Sequence, residues 1–503
     1  MTARAAYDEL IRHTRDTALL ASCANLLEWD QETYMPAGAV AGRSDQLAML
    51  AGQVHDRSTD PRIGDWLAQT EQSPLVDEPD APETVNVREI RRDYDRETKL
   101  PRSLAEAIAR TTALAQQEWA TARRDSDFAR FQPWLARIID LKRQEAECVG
   151  YADVPYDALL DEYEPGARSA DVARLYEAIR SELVPLVDAI TGAPRQPSAA
   201  VLRRDFPVDR QRAFVEALAV AIGFDTDRGR LDTSVHPFCA TIGAGDTRIT
   251  TRFAPADLEN GVFGVLHEVG HALYDQGLDA AAFGTPMGEP VSLGVHESQS
   301  RLWENRVGRG RAAWEHFFPI ARTLFPGALG DVSLDEFHFA VNHVARTPIR
   351  VEADEVTYNL HTLIRFELER AMIAGDLAAA DVPDAWNAGY QRYLGITPAS
   401  DAEGCLQDTH WSAGLVGYFP AYTLGDVYSA QFFAAAARDV GDLEAAFARG
   451  DFSGLLGWLR ANVHRHGQRF TAARLVDRAT GAPPDHRPLI DFLRRKYSAL
   501  YSL

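Results

Sequence analysis

A mainly α-helical protein with one short β segment is what the sequence predicts, and three observations carry that reading. Apolar residues recur at helical spacing over most of the 503 residues, as they do where one face of a helix is buried. Pro101, Pro133, Pro165 and Pro194 fall at or near the ends of those periodic stretches, where proline starts or breaks a helix. A single segment differs in texture: T-S-V-H-P-F-C-A-T-I-G-A-G-D-T-R-I-T-T-R-F, from Thr233 to Phe253, is rich in Thr, Val, Ile and Phe around a G-A-G-D turn. That is the composition of a β-hairpin.

Taken in order, the pattern predicts a first helix over residues 5–28, with Leu10, Ile11, Ala18, Leu19, Ala21 and Leu26 on its apolar face. It ends in L-E-W-D-Q-E-T-Y-M-P-A-G, where Pro36 and Gly38 mark a turn. Trp29 and Asp30 there either line a cleft or form a packing cluster at the helix end. Further helices are expected at 39–54, 81–100, 103–126, 131–150, 169–190 and 208–222. The run T-G-A-P-R-Q-P-S, Thr191 to Ser198, is the best linker in the first half. It divides one catalytic domain, 1–503, into candidate lobes at 1–195 and 196–503. After the β segment a helix begins near Ala254, with Asp257 and Glu259 suited to its positive N-terminal end. Helices follow at 334–344, 354–374, 383–394, 429–448 and 452–464. Two polar interruptions stand between them, A-R-T-P-I-R-V-E-A-D and E-G-C-L-Q-D-T-H-W-S-A-G-L-V-G-Y-F-P-A-Y.

Composition narrows the function classes. A net charge of −21 argues against nucleic acid as the main partner, because binding a phosphate backbone needs a basic face. Cys23, Cys148, Cys239 and Cys405 lie far apart with no C-x-x-C pair, which fits thiols in a reducing compartment. The N-terminus has no apolar signal region, and no stretch approaches the roughly 20 apolar residues of a membrane span. The sequence therefore reads as a cytoplasmic protein with no membrane partner.

The chemistry concentrates in G-V-L-H-E-V-G-H-A-L-Y-D, Gly264 to Asp275. On a helix, His267 and His271 project from one face and can grip a single metal ion. Glu268 follows the first histidine, placed to take a proton from the metal's water. A third ligand is then expected downstream, and Glu297, 26 residues after His271 on the next helical stretch, is the choice. Two histidines and a carboxylate leave one coordination position open, as catalytic zinc sites do. Glu297 has another reading as a helix acid paired with Arg301 at i,i+4, and Glu304 and Glu289 are rival carboxylates.

Besides H-E-V-G-H, the chain carries H-P-F at 236–238, D-T-R-I-T at 246–250, H-E-S-Q-S-R at 296–301, I-R-V-E-A-D at 349–354 and G-C-L-Q-D-T-H-W at 404–411. With W-D-Q-E-T-Y-M-P near the N-terminus, this set resembles the carboxypeptidase Taq family of zinc metallocarboxypeptidases. The resemblance implies a helical protein around a long, deep groove, with a small antiparallel sheet beside the metal helix. It implies a homodimer with one Zn2+ per subunit, Co2+ being a possible substitute. Its substrates would be peptides with a free C-terminal carboxylate, trimmed one residue at a time with broad specificity. In that frame His267, His271 and Glu297 hold zinc and Glu268 is the general base. Tyr422 is the oxyanion donor, since related helical metallopeptidases place a tyrosine about a dozen residues after a histidine like His410, and Tyr418 is the alternative. A planar guanidinium recognises a carboxylate bidentately. Arg350 is the first candidate for that task and Arg248 the second, unless they pair with Asp354 or Asp246. His410 and Gln407 are expected to hydrogen-bond the substrate, and His236 is either a site residue or structural.

Overall fold

The computed structural model describes residues 1–503, and its chain forms two compact units. The first gathers Met1–Glu97, Pro197–Val341 and Tyr428–Pro484; the second gathers Thr98–Gln196, Asn342–Val427 and Asp485–Leu503. The Thr191–Ser198 stretch thus carries one of the crossings, between Gln196 and Pro197.

In the first unit the N-terminal helix runs from Ala3 to Thr33, several residues past the expected end. Nothing before Pro36 obliges it to stop, and Tyr34 closes it by donating its backbone N–H to the Asp30 carbonyl. It packs with the helices Val40–Ser58 and Pro61–Glu71, the latter short enough to have escaped the periodicity reading. Ala6, Tyr7, Leu10, Ile63, Trp66, Leu67, Val87 and Ile90 form one buried cluster there. Trp29 and Asp30 belong to a packing cluster at the helix end: Trp29 is buried beneath Arg230 and Arg248, and Asp30 is paired with Arg43 at 2.6 Å.

Three strands follow, β1 (Gly229–Thr233), β2 (Cys239–Gly243) and β3 (Asp246–Thr251), in the order β1-β3-β2. The hairpin is present as β2 and β3, antiparallel with Cys239 opposite Ile249 and a turn through Gly245 at φ +80°. The sheet is mixed rather than wholly antiparallel, because β1 joins β3 in parallel, Gly229 opposite Thr247. Parallel pairing is non-local and leaves no turn signature. Since β3 is the central strand, the unpaired backbone edges belong to β1 and β2.

β3 lies against the helix Leu258–Asp275, which starts at Leu258 rather than at Ala254. Asp257 sets that start by accepting from the N–H groups of Glu259 (2.9 Å) and Asn260 (3.2 Å), satisfying two donors that a helix N-terminus otherwise leaves unpaired. Val262, Val265, Leu266, Val269, Leu273 and Tyr274 are all buried, so this helix is enclosed on several faces.

The second unit is built from Arg102–Asp125, Phe128–Val149, Pro155–Tyr163, Ser169–Gly192, Tyr358–Ala374, Val382–Leu394 and Arg487–Tyr501. Tyr156, Tyr176, Arg365, Trp386 and Tyr390 are among its largest fully buried side chains. No helix of either unit is long and apolar enough to cross a membrane, and all four cysteines are free thiols.

Candidate active site

The histidine helix and the next helix, Leu293–Arg301, meet at a glycine. A Cβ on Gly270, inside H-E-V-G-H, would stand 2.5 Å from Ser300 Cα and 2.6 Å from the Gln299 carbonyl oxygen. Real Cβ atoms do not approach that closely, so only glycine allows these two backbones to touch. The consequence is that Glu297 reaches back to both histidines. Its Oε2 is 3.7 Å from His267 Nε2 and 3.5 Å from His271 Nε2.

Those distances exceed a normal hydrogen bond, yet the ligand atoms of the three residues all lie within 4.8 Å of one another. Glu297 Oε1 is buried and has no hydrogen-bond partner. Two imidazole nitrogens, a carboxylate oxygen and an orphaned acceptor around one point fit a divalent cation of the zinc type. The surrounding field agrees. Burial drives the His267 imidazolium down, but Glu297, Glu304 and Glu268 outweigh it and hold its pKa at about 9. Burial, followed by His296 and His267, instead holds His271 well below its usual value, so that ring stays neutral and can offer a nitrogen lone pair to a metal.

Around these three residues stand others that fix them. Glu304 Oε2 accepts from His267 Nδ1 at 2.9 Å, orienting the ring so that Nε2 faces Glu297. Glu304 lies in a π-helical turn, Leu302–Val307, that continues the Leu293–Arg301 helix. Burial works to raise its carboxyl, but Arg301, His267 and Arg309 prevail and lower it to about 2. His296 stacks on the His271 ring, 4.5 Å between centroids and 19° between planes, and its Nε2 meets Asp275 Oδ1 at 2.9 Å. The other Asp275 oxygen accepts from Thr241 Oγ1 of β2 at 2.7 Å, which ties the sheet to the histidine helix. Glu268 is buried next to this group, and burial pushes its carboxyl up to about 7.

In the second unit another cluster forms around Asp408. Arg350 sends Nε (3.0 Å) and Nη2 (2.9 Å) to Asp408 Oδ1 and Nη1 to Tyr358 at 2.9 Å. Arg365 gives Nε to Asp408 Oδ2 at 2.6 Å. Burial opposes ionisation of Asp408, but the two guanidiniums overcome it and hold the carboxyl far below its usual range. Two arginines share one carboxylate, leaving one net positive charge. Asp354, weighed as an Arg350 partner, instead accepts from the N–H groups of Ala345, Val356 and Thr357.

Gln407 is engaged at both ends of its amide: its oxygen accepts from Arg350 N and Arg365 Nη2, and its nitrogen donates to the carbonyls of Pro348 and Glu403. His410 Nε2 is 3.1 Å from the Tyr422 hydroxyl, and the rings of His410, Tyr418 and Tyr422 pack edge to face. Burial, followed by Arg350, lowers His410 to about 3, so its ring is neutral at ordinary pH.

The remaining candidates have other partners or are exposed. Arg248 makes a two-bond pair with Asp246, 2.8 Å each, and lies 4.2 Å over the Trp29 ring. His236 is exposed between β1 and β2, and Glu289 is exposed outside the metal-type group. Sequence reasoning missed His296, Asp275, Asp408 and Arg365. Asp275, His296 and Asp408 sit inside motifs already singled out, so adjacency was their one signal; nothing marked Arg365.

Comparisons with known proteins agree with this geometry. The sequence profile of the carboxypeptidase Taq (M32) metallopeptidases matches residues 9–497. Thermostable carboxypeptidase 1 of Thermus thermophilus is 48% identical over 510 residues, covering 100% of each chain. Carboxypeptidase 1 of Bacillus subtilis is 36% identical, covering 95% of each. The crystal structure of an M32 carboxypeptidase from Deinococcus radiodurans superposes with a TM-score of 0.95 at 44% identity, covering 99% of this chain and 100% of that one. The chain is a metallocarboxypeptidase of the carboxypeptidase Taq (M32) family.

Proposed function

We propose that the chain is a zinc-dependent enzyme that removes single residues from the C-terminus of peptides with broad specificity, residues 1–503 acting as one catalytic domain. The observation that carries it is the convergence of His267 Nε2, His271 Nε2 and Glu297 beside the buried carboxyl of Glu268. Zinc held by His267, His271 and Glu297 would supply Lewis-acid polarisation of the scissile carbonyl and lower the pKa of water.

The chain's own groups do the rest. Glu268 takes the proton of the attacking water and passes it to the leaving amine; a carboxyl raised toward neutrality suits both transfers. Glu304 keeps the His267 Nε2 lone pair facing inward, and His296 holds the plane of His271. The Arg350–Asp408–Arg365 cluster, with one net positive charge, draws the terminal carboxylate, and Gln407 positions Arg350. Arg248 is the second candidate for that carboxylate. Tyr422 donates to the oxyanion, with the neutral His410 giving Nε2–H to the tyrosine oxygen. Tyr418 is the alternative donor. We place the enzyme in the cytoplasm as a homodimer.

Incubating a mixed peptide set with the metal-loaded protein, followed by mass spectrometry, tests this reading. Stepwise C-terminal ladders are expected, and amidated peptides should resist. Internal cuts, or equal cleavage of acid and amide, would assign an endo-acting oligopeptidase instead. No cleavage at all would indicate a silent peptide-binding homologue.

A further inference from the structure

The first unit contains a cavity of about 750 Å³ that none of the metal-type residues lines. Its walls come from the N-terminal helix, the loop around Ala281, the turn His464–Arg469 and the helix Ala472–Thr480. Arg15, Arg465, Arg469 and Arg478 all face it.

None of these four arginines is in an ion pair, in a protein whose net charge is −21 and whose other arginines are widely paired with carboxylates. Arg15 donates Nη2 to the Ala281 carbonyl at 2.9 Å, and Arg469 donates Nη1 to the Asp80 carbonyl at 2.9 Å. Carbonyls leave a guanidinium's charge uncompensated. Arg469 Nε is buried with no hydrogen-bond partner, and an orphaned charged donor of this kind is costly unless a ligand meets it. Two acids also line the cavity, each with a partner of its own. Asp80 is held by both terminal nitrogens of Arg474, 2.7 Å each, and Asp279 caps a short turn by accepting from Ala281 N at 3.0 Å.

The positive field is visible at His466, also in the lining. Burial lowers its pKa, and Arg465, Arg478 and Arg469 lower it further. The volume lies in the range of small-ligand sites, and forked guanidiniums match phosphate oxygens in geometry as well as charge.

We propose that this cavity is a binding site for a small phosphate-bearing anion, separate from the metal-type centre and held by Arg15, Arg465, Arg469 and Arg478. The shared chemistry is a phosphate dianion, either free or carried on a nucleotide-sized molecule.

Calorimetric titration of the metal-loaded protein with inorganic phosphate, AMP and adenosine tests it; these probes bind divalent metals weakly. Saturable binding of AMP or of phosphate is expected, with none by adenosine. AMP binding at least tenfold tighter than phosphate identifies a phosphorylated organic ligand, and equal affinities identify free phosphate. Arg465 and Arg478 are exposed at the rim, so Arg465→Gln/Arg478→Gln should fold normally and weaken binding at least tenfold. Peptide trimming by that variant should be unchanged. Absence of binding by both anions, equal binding of adenosine, or undiminished affinity in the double variant would overturn the proposal, the last by placing the anion at the metal-type centre instead. Arg469→Gln adds a second reading, because its buried Nε has no other partner.

Discussion

Glu268 sits one residue past His267, buried among Glu297, Glu304, His267 and His296, all of which act on its ionisation. Its amide counterpart has the same shape and no basicity. Glu268→Gln should therefore retain metal, measured by elemental analysis, while peptide turnover falls by about 10²–10⁴-fold, the usual worth of a positioned acid–base group. Undiminished turnover would remove Glu268 from the role of base. Glu304 acts on the centre through the His267 Nδ1 contact at 2.9 Å. Glu304→Gln should weaken metal affinity about 10–100-fold, as loss of such a partner does. Competition with a chromophoric chelator measures it, and an unchanged affinity would reduce Glu304 to a structural acid. These two residues differ in how legible they were. His267, Glu268 and His271 could be read directly because helical periodicity converts spacing into a shared face. Glu304 could be read only as a rival ligand: its place on the far side of the imidazole depends on the π-helical turn at Leu302–Val307, and a changed helical period is invisible in composition.

At the scale of elements, the centre depends on how closely two helices approach. Gly270→Ala puts a methyl group where Ser300 Cα and the Gln299 carbonyl already stand, and backbone cannot yield as a flexible side chain would. The Leu293–Arg301 helix must move away and take Glu297 with it. The expected outcome is a folded protein, judged by its helical circular dichroism, with impaired metal retention and activity; full metal retention would show that the helices accommodate the methyl. Beside this contact, His464 Nε2 donates to Gln299 Oε1 at 2.9 Å and the His464 ring packs on Tyr274. Burial first, then Arg460 and His296, lower its pKa from 6.5 to about 3. Between those values the unfolded chain binds a proton that the folded chain refuses. The stability this contributes is complete above pH 6.5 and is lost as pH falls toward 3, at about 1.4 kcal/mol per unit at most. Denaturant titrations across that window should show a shallower acid decline for His464→Gln, and parallel declines would refute the assignment. Contacts such as these join residues 165 positions apart. Arg350 and Asp408 are likewise 58 apart, so the motifs announced the participants without announcing who meets whom. The same limit explains the sheet: the hairpin was local and legible, whereas the parallel register of β1 on β3 was not.

At the scale of the molecule, the first unit is assembled from three chain segments, and all three metal-type ligands come from the middle one, Pro197–Val341. Ions that bind only the folded arrangement stabilise it by mass action, about 1.4 kcal/mol for each tenfold excess over the dissociation constant. Part of that affinity reflects the buried Glu297 carboxyl, one oxygen of which otherwise has no partner. A chelator should therefore lower the thermal unfolding midpoint of the whole chain, and zinc or cobalt should restore it in proportion to affinity. The variants separate this effect from catalysis. Glu268→Gln should keep the full chelator response although inactive, because Glu268 contributes a proton acceptor and no ligand. Glu297→Gln should show little response, since an amide oxygen is a much poorer ligand than a carboxylate. Differential scanning calorimetry with and without chelator reads all three proteins. Equal chelator shifts in the native chain and in Glu297→Gln would mean that the stabilising ion sits elsewhere and that the His267–His271–Glu297 group is not its site.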